Sequence, residues 1–381
     1  MRGPGVLLMV CLILSALAGE ADDIDVYLQS PAASKSYVHV LLDLGDSERD
    51  RELCVYGDSC APPFMSTAAY AHLGARYAEG DVVSAAGVFN AVLAAVLERP
   101  SVDDVYLSLM ISNHQDSNGN TPSEPGGADL GGGAVLAGYK RIGDSRGELI
   151  GTLESLPVLS GGNAHHLQPR ESYLEWLRYI GGGAVALGSD TSGNFGQAEP
   201  APDYDGTIID NGRYLTPFTD PESCPRLSSI LFTGGSVDDD ADLSAEIAAE
   251  TPLARDASFA QMLAYMHHEN TDLLPVLNHR AALHKTWVVA VRGQEGAAGQ
   301  YARAGGSGSV LYIDEPLELE AQLTEALLGV APVSRSFAAA SIAAGGSGRG
   351  QFLDNLFVPL FQPAGGINWP GNLKKLKLLD V

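Results

Sequence analysis

Two groups of residues have types and spacings that could do chemistry. Asp190-Thr191-Ser192-Gly193-Asn194 sets a carboxylate and two hydroxyls on a polar turn. A carboxylate so placed suits acid–base hydrolysis, which needs a second carboxylate to share the proton. No second Asp-Thr-Gly occurs, and Gly188-Ser189 stands where a leading strand would be expected. The turn therefore reads as part of a polar loop. His165-His166, His267-His268-Glu269, His279 and His284 could offer nitrogens to zinc. None has His-Glu-x-x-His spacing and no Cys pair has ribbon spacing, so they read as helix-end or surface polarity. There is no Gly-x-Ser-x-Gly nucleophile elbow and no P-loop. Gly305-Gly306 and Gly345-Gly346 read as turn and linker glycines, and Lys374, Lys375 and Lys377 as one face of a strand.

Composition narrows the classes further. Among 381 residues, 47 acids face 23 Lys and Arg, for a net charge of −24. That is the wrong sign for a phosphate-backbone binder or for an anionic membrane surface. With 45% hydrophobic residues the chain can bury a large core, in one large domain or two. Residues 1–18 read as a secretory signal. Arg2 is the positive end, Val6 to Leu17 the apolar run, and Ala16-Leu17-Ala18 the small residues at the cleavage point. The run is too short to span a bilayer, and no later stretch is long and apolar enough. The expected location is therefore outside the cytoplasm. Cys11 falls inside the signal, leaving Cys54, Cys60 and Cys224. In an oxidising compartment Cys54 and Cys60 can close a small loop, although a pairing of Cys224 with either stays open.

Apolar periodicity supplies the elements that must position any site. Tyr37–Leu42 is a short, continuous apolar run, as expected for a strand buried on both faces. Phe89, Val92, Leu93, Val96 and Leu97 form a helical stripe that ends before Pro100, and Val105–Ile111 is a second strand. Strand, helix and strand in this order make a crossover unit. The alternation continues with strands at Ala134–Arg141, Ser229–Thr233, Trp287–Val291 and Val310–Ile313. Helical stripes run through Tyr173, Trp176, Leu177 and Ile180, through Phe259, Met262, Leu263 and Met266, and through Leu319, Leu323, Leu327 and Val330. This predicts a doubly wound α/β sheet over residues 24–335. Surface insertions are expected near 113–133 and 188–226, a Gly-rich linker over 336–350, and short β-like runs over 351–381.

Several motifs together resemble one family. Asp43-Leu44-Gly45-Asp46-Ser47 is similar to the D-x-S-x-S loop of von Willebrand factor type A domains. Gln168-Pro169, then Glu171-Ser172-Tyr173-Leu174-Glu175 and Arg178-Tyr179, resembles the T-P-x-x-E-x-L-Y-E-x-x-x-Y helix of the PilY family of type IV pilus tip and assembly proteins, with the Leu/Tyr order changed. Tyr214-Leu215-Thr216-Pro217, Cys224 and Ile230-Leu231-Phe232-Thr233-Gly234-Gly235 resemble its Y-I-S-P…C…I-L-L-T-D-G stretch. Trp369, Gly371-Asn372-Leu373-Lys374-Lys375 and Leu378 resemble the W-x-G-N-L-K that opens its β-propeller. The resemblance implies a von Willebrand A-type sheet followed by the first strands of a truncated propeller.

It also implies a site. In that family two hydroxyls and a carboxylate from the first loop, a Thr from the second and an Asp from the third hold a divalent cation, Mg²⁺ or Ca²⁺. Here Asp43 and Ser47 match, whereas Gly45, Gln168 and Gly234 occupy the other ligand positions. A hard cation needs most of its oxygen ligands, so these losses predict a degenerate site that works without metal. Asp46 and Asp238–Asp240 are nearby acids that could compensate. The expected function is thus a non-enzymatic, exported adhesion or assembly module. Its expected partners are pilus components, such as minor pilins, or a host or surface ligand, with no nucleic acid. The alternatives are a non-adhesive scaffold in pilus assembly and a secreted hydrolase using Asp190 or the histidines.

Overall fold

The computed structural model describes residues 35–44, 51–115, 130–156, 169–186, 188–189, 202–219, 225–233, 244–268, 282–293, 296–330, 337–338, 355–361 and 371–377. The chain divides into two compact units, Met1–Ala331 and Pro332–Val381.

The larger unit is built around β1 (Ser36–Leu42), all of whose side chains are buried. Val38, Val40 and Leu42 enter one hydrophobic cluster, and Tyr37 and Leu41 enter the other. A strand covered on both faces has no solvent side, which is why its sequence does not alternate with polar residues. β4 (Tyr106–Gln115) and β8 (Arg226–Phe232) pair parallel to β1 on its two sides. β9 (Ala282–Ala290) and β10 (Gly306–Tyr312) continue the parallel set beyond β8. β5 (Leu130–Arg141) closes the opposite edge, antiparallel to β4. The six-stranded order is β10-β9-β8-β1-β4-β5. Numbered within the sheet and read from β5, this is the 3-2-1-4-5-6 order of Rossmann-like folds, with one edge strand reversed.

Helices cover both faces. α1 (Thr67–Leu73), α2 (Ala85–Leu97), α3 (Ile142–Ser155) and α8 (Pro316–Val330) contribute to one cluster. α4 (Pro169–Gly181), α5 (Ser244–Glu250), α6 (Phe259–His267) and α7 (Ala298–Ala304) contribute to the other. All thirteen residues of α2 are buried, as an apolar all-round helix requires. Its first turn is capped by Ser84, whose hydroxyl accepts from the Gly87 N–H at 3.1 Å. Phe89 stacks on Phe232 of β8 at 4.6 Å, fixing the helix on the sheet. A Cβ on Gly87 would lie 2.2 Å from the Tyr77 hydroxyl, so any larger residue there would displace the Tyr77 ring.

A small lobe joins β1 to α2. It holds α1 and the antiparallel pair β2 (Glu52–Val55) and β3 (Val82–Ser84). Cys54 and Cys60 are joined by a disulfide. The Cys60 N–H also donates to the Val55 carbonyl at 3.1 Å, so the loop closes by backbone as well as by sulfur. A hairpin, β6 (Ile209–Asp210) with β7 (Arg213–Tyr214), turns at Asn211-Gly212. Both turn residues have positive φ, 50° and 75°, as a two-residue hairpin demands. The smaller unit is an antiparallel sheet of β11 (Phe337–Ala338), β12 (Asn355–Phe361) and β13 (Gly371–Lys377). β11 lies within the stretch expected to be a linker.

The structure differs from the periodicity in three respects. β4 extends to Gln115 and β5 begins at Leu130, so both ends of the expected 113–133 insertion are strand. The glycines there read as a loop, yet a Cβ on Gly133 would lie 2.8 Å from Met110; the strand needs them for close packing. α3 was not expected, because only Ile142, Leu149 and Leu153 of its fourteen residues are buried. The seven-residue helices α1, α5 and α7 are too short to carry a periodic signal. Among the described residues, no helix is long and apolar enough to cross a membrane.

The disulfide closes a short loop, for which the chain-entropy relation gives about 2 kcal/mol of stabilisation. Urea unfolding of the Cys54→Ser/Cys60→Ser double variant should show a loss of that order. Full retention of stability would mean that the Val55 backbone contacts alone define the lobe.

Candidate functional site at the carboxyl rim of the sheet

The parallel strands β1, β4 and β8 run in register to a common end. Leu42 pairs with Ile111 on one side and with Phe232 on the other. One residue further, Asp43, Ser112 and Thr233 therefore stand level. The Ser112 hydroxyl donates to Asp43 Oδ1 at 2.7 Å. The Thr233 hydroxyl donates to Asp43 Oδ2 at 3.3 Å. The Asp43 N–H donates to the Phe232 carbonyl, and the Thr233 N–H to the Val289 carbonyl, both at 3.0 Å. One carboxyl thus joins the ends of three adjacent strands, at the point where the strand order reverses between β1 and β8.

All three side chains are buried. Burial raises the Asp43 pKa to about 7, against the lowering effect of the two hydroxyl hydrogen bonds. Near neutral pH the carboxyl is about equally neutral and ionised.

The amino end of α4 reaches the same rim. Ser112 is paired with Gly133 across β4 and β5. Next to it, the Ser172 hydroxyl in the first turn of α4 donates to the Gly132 carbonyl at 2.6 Å. Leu44, Pro169 and Thr233 are thus the described residues that flank the three turns identified in the sequence. Gly45, Asp46, Ser47, Gln168, Gly234 and Asp238–Asp240 lie outside the described residues, as do Cys224, Asp190, His165-His166, His279 and the 1–18 segment. His267 and His268, at the end of α6, are not brought to the rim triad.

Neither Ser112 nor Thr233 carries a motif that marks a site residue, although Thr233 sits inside the Ile-Leu-Phe-Thr-Gly-Gly stretch. The available signal was position: each is the first hydroxyl after an apolar run that forms a parallel strand. Ser112 was hidden because the strand was expected to end at Ile111.

The described donors do not fit a tightly held hard cation. They supply one carboxyl of raised pKa and two hydroxyls already donating to it, where Mg²⁺ favours near-octahedral oxygen coordination. Among the described residues, no group of three or more His, Cys, Asp or Glu is placed to hold a metal ion.

The α4 residues that carried the resemblance are buried structural groups. Glu171 accepts from the Arg170 Nε and Nη2 at 2.9 and 2.8 Å. The Tyr173 hydroxyl bonds with Ser229 of β8 at 2.8 Å. Tyr179 accepts from the Tyr139 N–H at 2.9 Å. Glu175 accepts from the Tyr214 hydroxyl at 2.7 Å, the Ala186 N–H at 3.0 Å and the Gly188 N–H at 3.3 Å. Burial pushes its carboxyl pKa up, while these donors and Arg178 oppose the shift. Arg178 in turn donates through Nε and Nη2 to Glu250. Glu175 thereby fastens the start of the 188–226 segment and the β6–β7 hairpin onto α4.

The chain matches no protein-family model and no curated protein at a significant level.

Two outcomes follow from these environments. The Asp43 pKa is raised on folding, so its proton stabilises the native state at low pH. Stability should fall as pH rises from about 4 to about 7 and then level off. Asp43→Asn keeps an acceptor for either hydroxyl and carries no charge. It should flatten that slope and leave the variant roughly 2–4 kcal/mol more stable than the wild type above pH 7, read by urea unfolding across pH. A wild type whose stability is flat from pH 4 to 7 would contradict the burial argument. Glu175→Ala should cost roughly 3–5 kcal/mol, because Arg178 and two backbone donors lose their acceptor.

Proposed function

We propose that the chain is an exported recognition module of the type IV pilus system, similar to the von Willebrand A-like amino-terminal part of PilY proteins, and not an enzyme. The observation that carries the reading is the junction of Asp43, Ser112 and Thr233 at the carboxyl ends of β1, β4 and β8. Open α/β sheets bind ligands outside that edge, at the switch in strand order, and Asp43 and Thr233 stand at this switch. The segments that follow Leu44 and Thr233 supply the contact surface, while the buried triad fixes where they start. Binding is independent of divalent cations, since Asp43 is committed to its two hydroxyl partners. The Cys54–Cys60 disulfide supports an oxidising compartment. The net charge of −24 opposes a nucleic-acid or anionic-membrane role. The last segment, with its antiparallel β12 and β13, reads as the opening of a propeller blade.

A second reading, a non-adhesive scaffold in pilus assembly, draws on the burial of the triad: a carboxyl that no partner can touch serves cohesion, and here it ties strand ends. The two are separated by immobilising purified minor pilins and measuring capture of the mature chain with EDTA or with excess Mg²⁺. The recognition reading expects equal capture in both, loss of capture on substituting residues 45–50 and 234–243, and retention in Asp43→Asn. Loss of capture in EDTA alone overturns the metal-free mechanism. Substitutions of those segments that leave capture and piliation intact overturn recognition at this rim in favour of the scaffold. Hydrolytic turnover abolished by Asp190→Ala would displace both.

A further inference from the structure

Asn90 lies in the middle of α2 and is 6% exposed. Neither its Oδ1 nor its Nδ2 has a hydrogen-bond partner among the described residues. A buried amide left in that condition costs on the order of 1–3 kcal/mol, so a native fold retains one only where something answers it. Asn90 lines a cleft of about 20 Å³ between α1, α2 and α3. The other polar groups on the cleft are His72, Arg76, Tyr77 and Glu154. His72 is itself held by two carboxylates, with Nδ1 2.9 Å from Glu154 and Nε2 3.4 Å from Glu98. Its orientation is thereby fixed from α2 and α3 together. Gly87 lines the same cleft; its missing side chain admits the Tyr77 hydroxyl, which lies 3.4 Å from the Ser84 hydroxyl.

Size and chemistry select the ligand. One water needs roughly 10–15 Å³ and two to four polar partners, whereas a larger solute needs several times that volume. A free carboxylate would face Glu154, and an ammonium would face Arg76. Water is neutral and is both donor and acceptor.

We propose that this cleft is a built binding site for a single long-lived water molecule. The water accepts from the Asn90 amide and donates toward the Glu154 carboxylate. It gives the Asn90 Nδ2 an acceptor and bridges α2 to α3. The buried Asn is then a ligand for solvent rather than a packing error in an otherwise apolar helix.

The test uses the full mature chain, with water itself as the probe. In the labelled wild type, the Asn90 side-chain amide protons should show cross-relaxation with water of the sign given by residence longer than nanoseconds. The Gly87 and Ala91 amide protons serve as neighbours. Asn90→Leu fills the cleft and should abolish the neighbours' signal. Should that variant fail to fold, Asn90→Ser, which keeps a hydroxyl partner, should retain the signal. A wild type whose Asn90 protons see only fast-exchanging solvent overturns the proposal. So does a signal at Gly87 and Ala91 that survives in Asn90→Leu.

Discussion

The register of β1 between β4 and β8 is the constraint from which the rest follows. Leu42 stands level with Ile111 and Phe232, so the next residue of each strand arrives at the same height. A slip of one residue would exchange the two faces of the strand and place Tyr37, His39 and Leu41 where Val38, Val40 and Leu42 pack. The two faces are not interchangeable. One receives the aliphatic and Phe89 surface of α2. The other receives aromatic groups of α4 and α6, among them Trp176, stacked on His39 at 4.9 Å. Face selection therefore fixes register, and register fixes which residues meet at the rim. The junction of Asp43, Ser112 and Thr233 is a consequence of core packing as much as of its own hydrogen bonds.

Much of this frame was legible in the sequence, because parallel strands buried on both faces leave continuous apolar runs. Tyr37–Leu42, and all but the last residue of Ser229–Thr233 and of Trp287–Val291, lie in the sheet. The long amphipathic helices were legible through their stripes, including Phe259, Met262, Leu263 and Met266 in the buried face of α6. What escaped was held by other means. α3 is anchored by few apolar residues, and the Gly-rich start of β5 is a strand because small residues let Met110 and Ser172 approach. The Cys54–Cys60 loop was open to another pairing on sequence grounds; the turn after β2, closed by the Cys60 N–H on the Val55 carbonyl, brings those two cysteines together. Of the site, Asp43 was visible as the acid that ends an apolar run. Its partners were not, since a lone Ser or Thr after a strand gives no pattern.

The α4 sequence shows why a motif can be specific without being a site. Tyr173, Glu175 and Tyr179 each satisfy a buried partner on a different element, Ser229 on β8, Tyr214 on β7 and Tyr139 on β5, while Glu171 pairs with Arg170 beside it. Such a helix is recognisable because three long-range bonds must be met at once, and each restricts the residue type. A likeness built on these positions speaks first to how the helix is seated on the sheet. It bears on function through what that seating positions, namely the residues that flank α4 on either side.

Asp43 belongs to a different category. Glu171 and Glu175 each have an arginine within bonding distance. The hydrogen bonds described for the Asp43 carboxyl come from two neutral hydroxyls, and burial raises its pKa. Cohesion of the strand ends does not require a carboxyl there, since an amide could accept from Ser112 or Thr233 without the charge-desolvation cost. A polar group that costs more than a neutral substitute, placed at the edge where α/β sheets bind their ligands, is the kind of local inconsistency that concentrates at functional positions. What a carboxyl adds over an amide is titration: its raised pKa makes the cohesion of the three strand ends depend on pH. Burial keeps Asp43 itself from touching a partner directly.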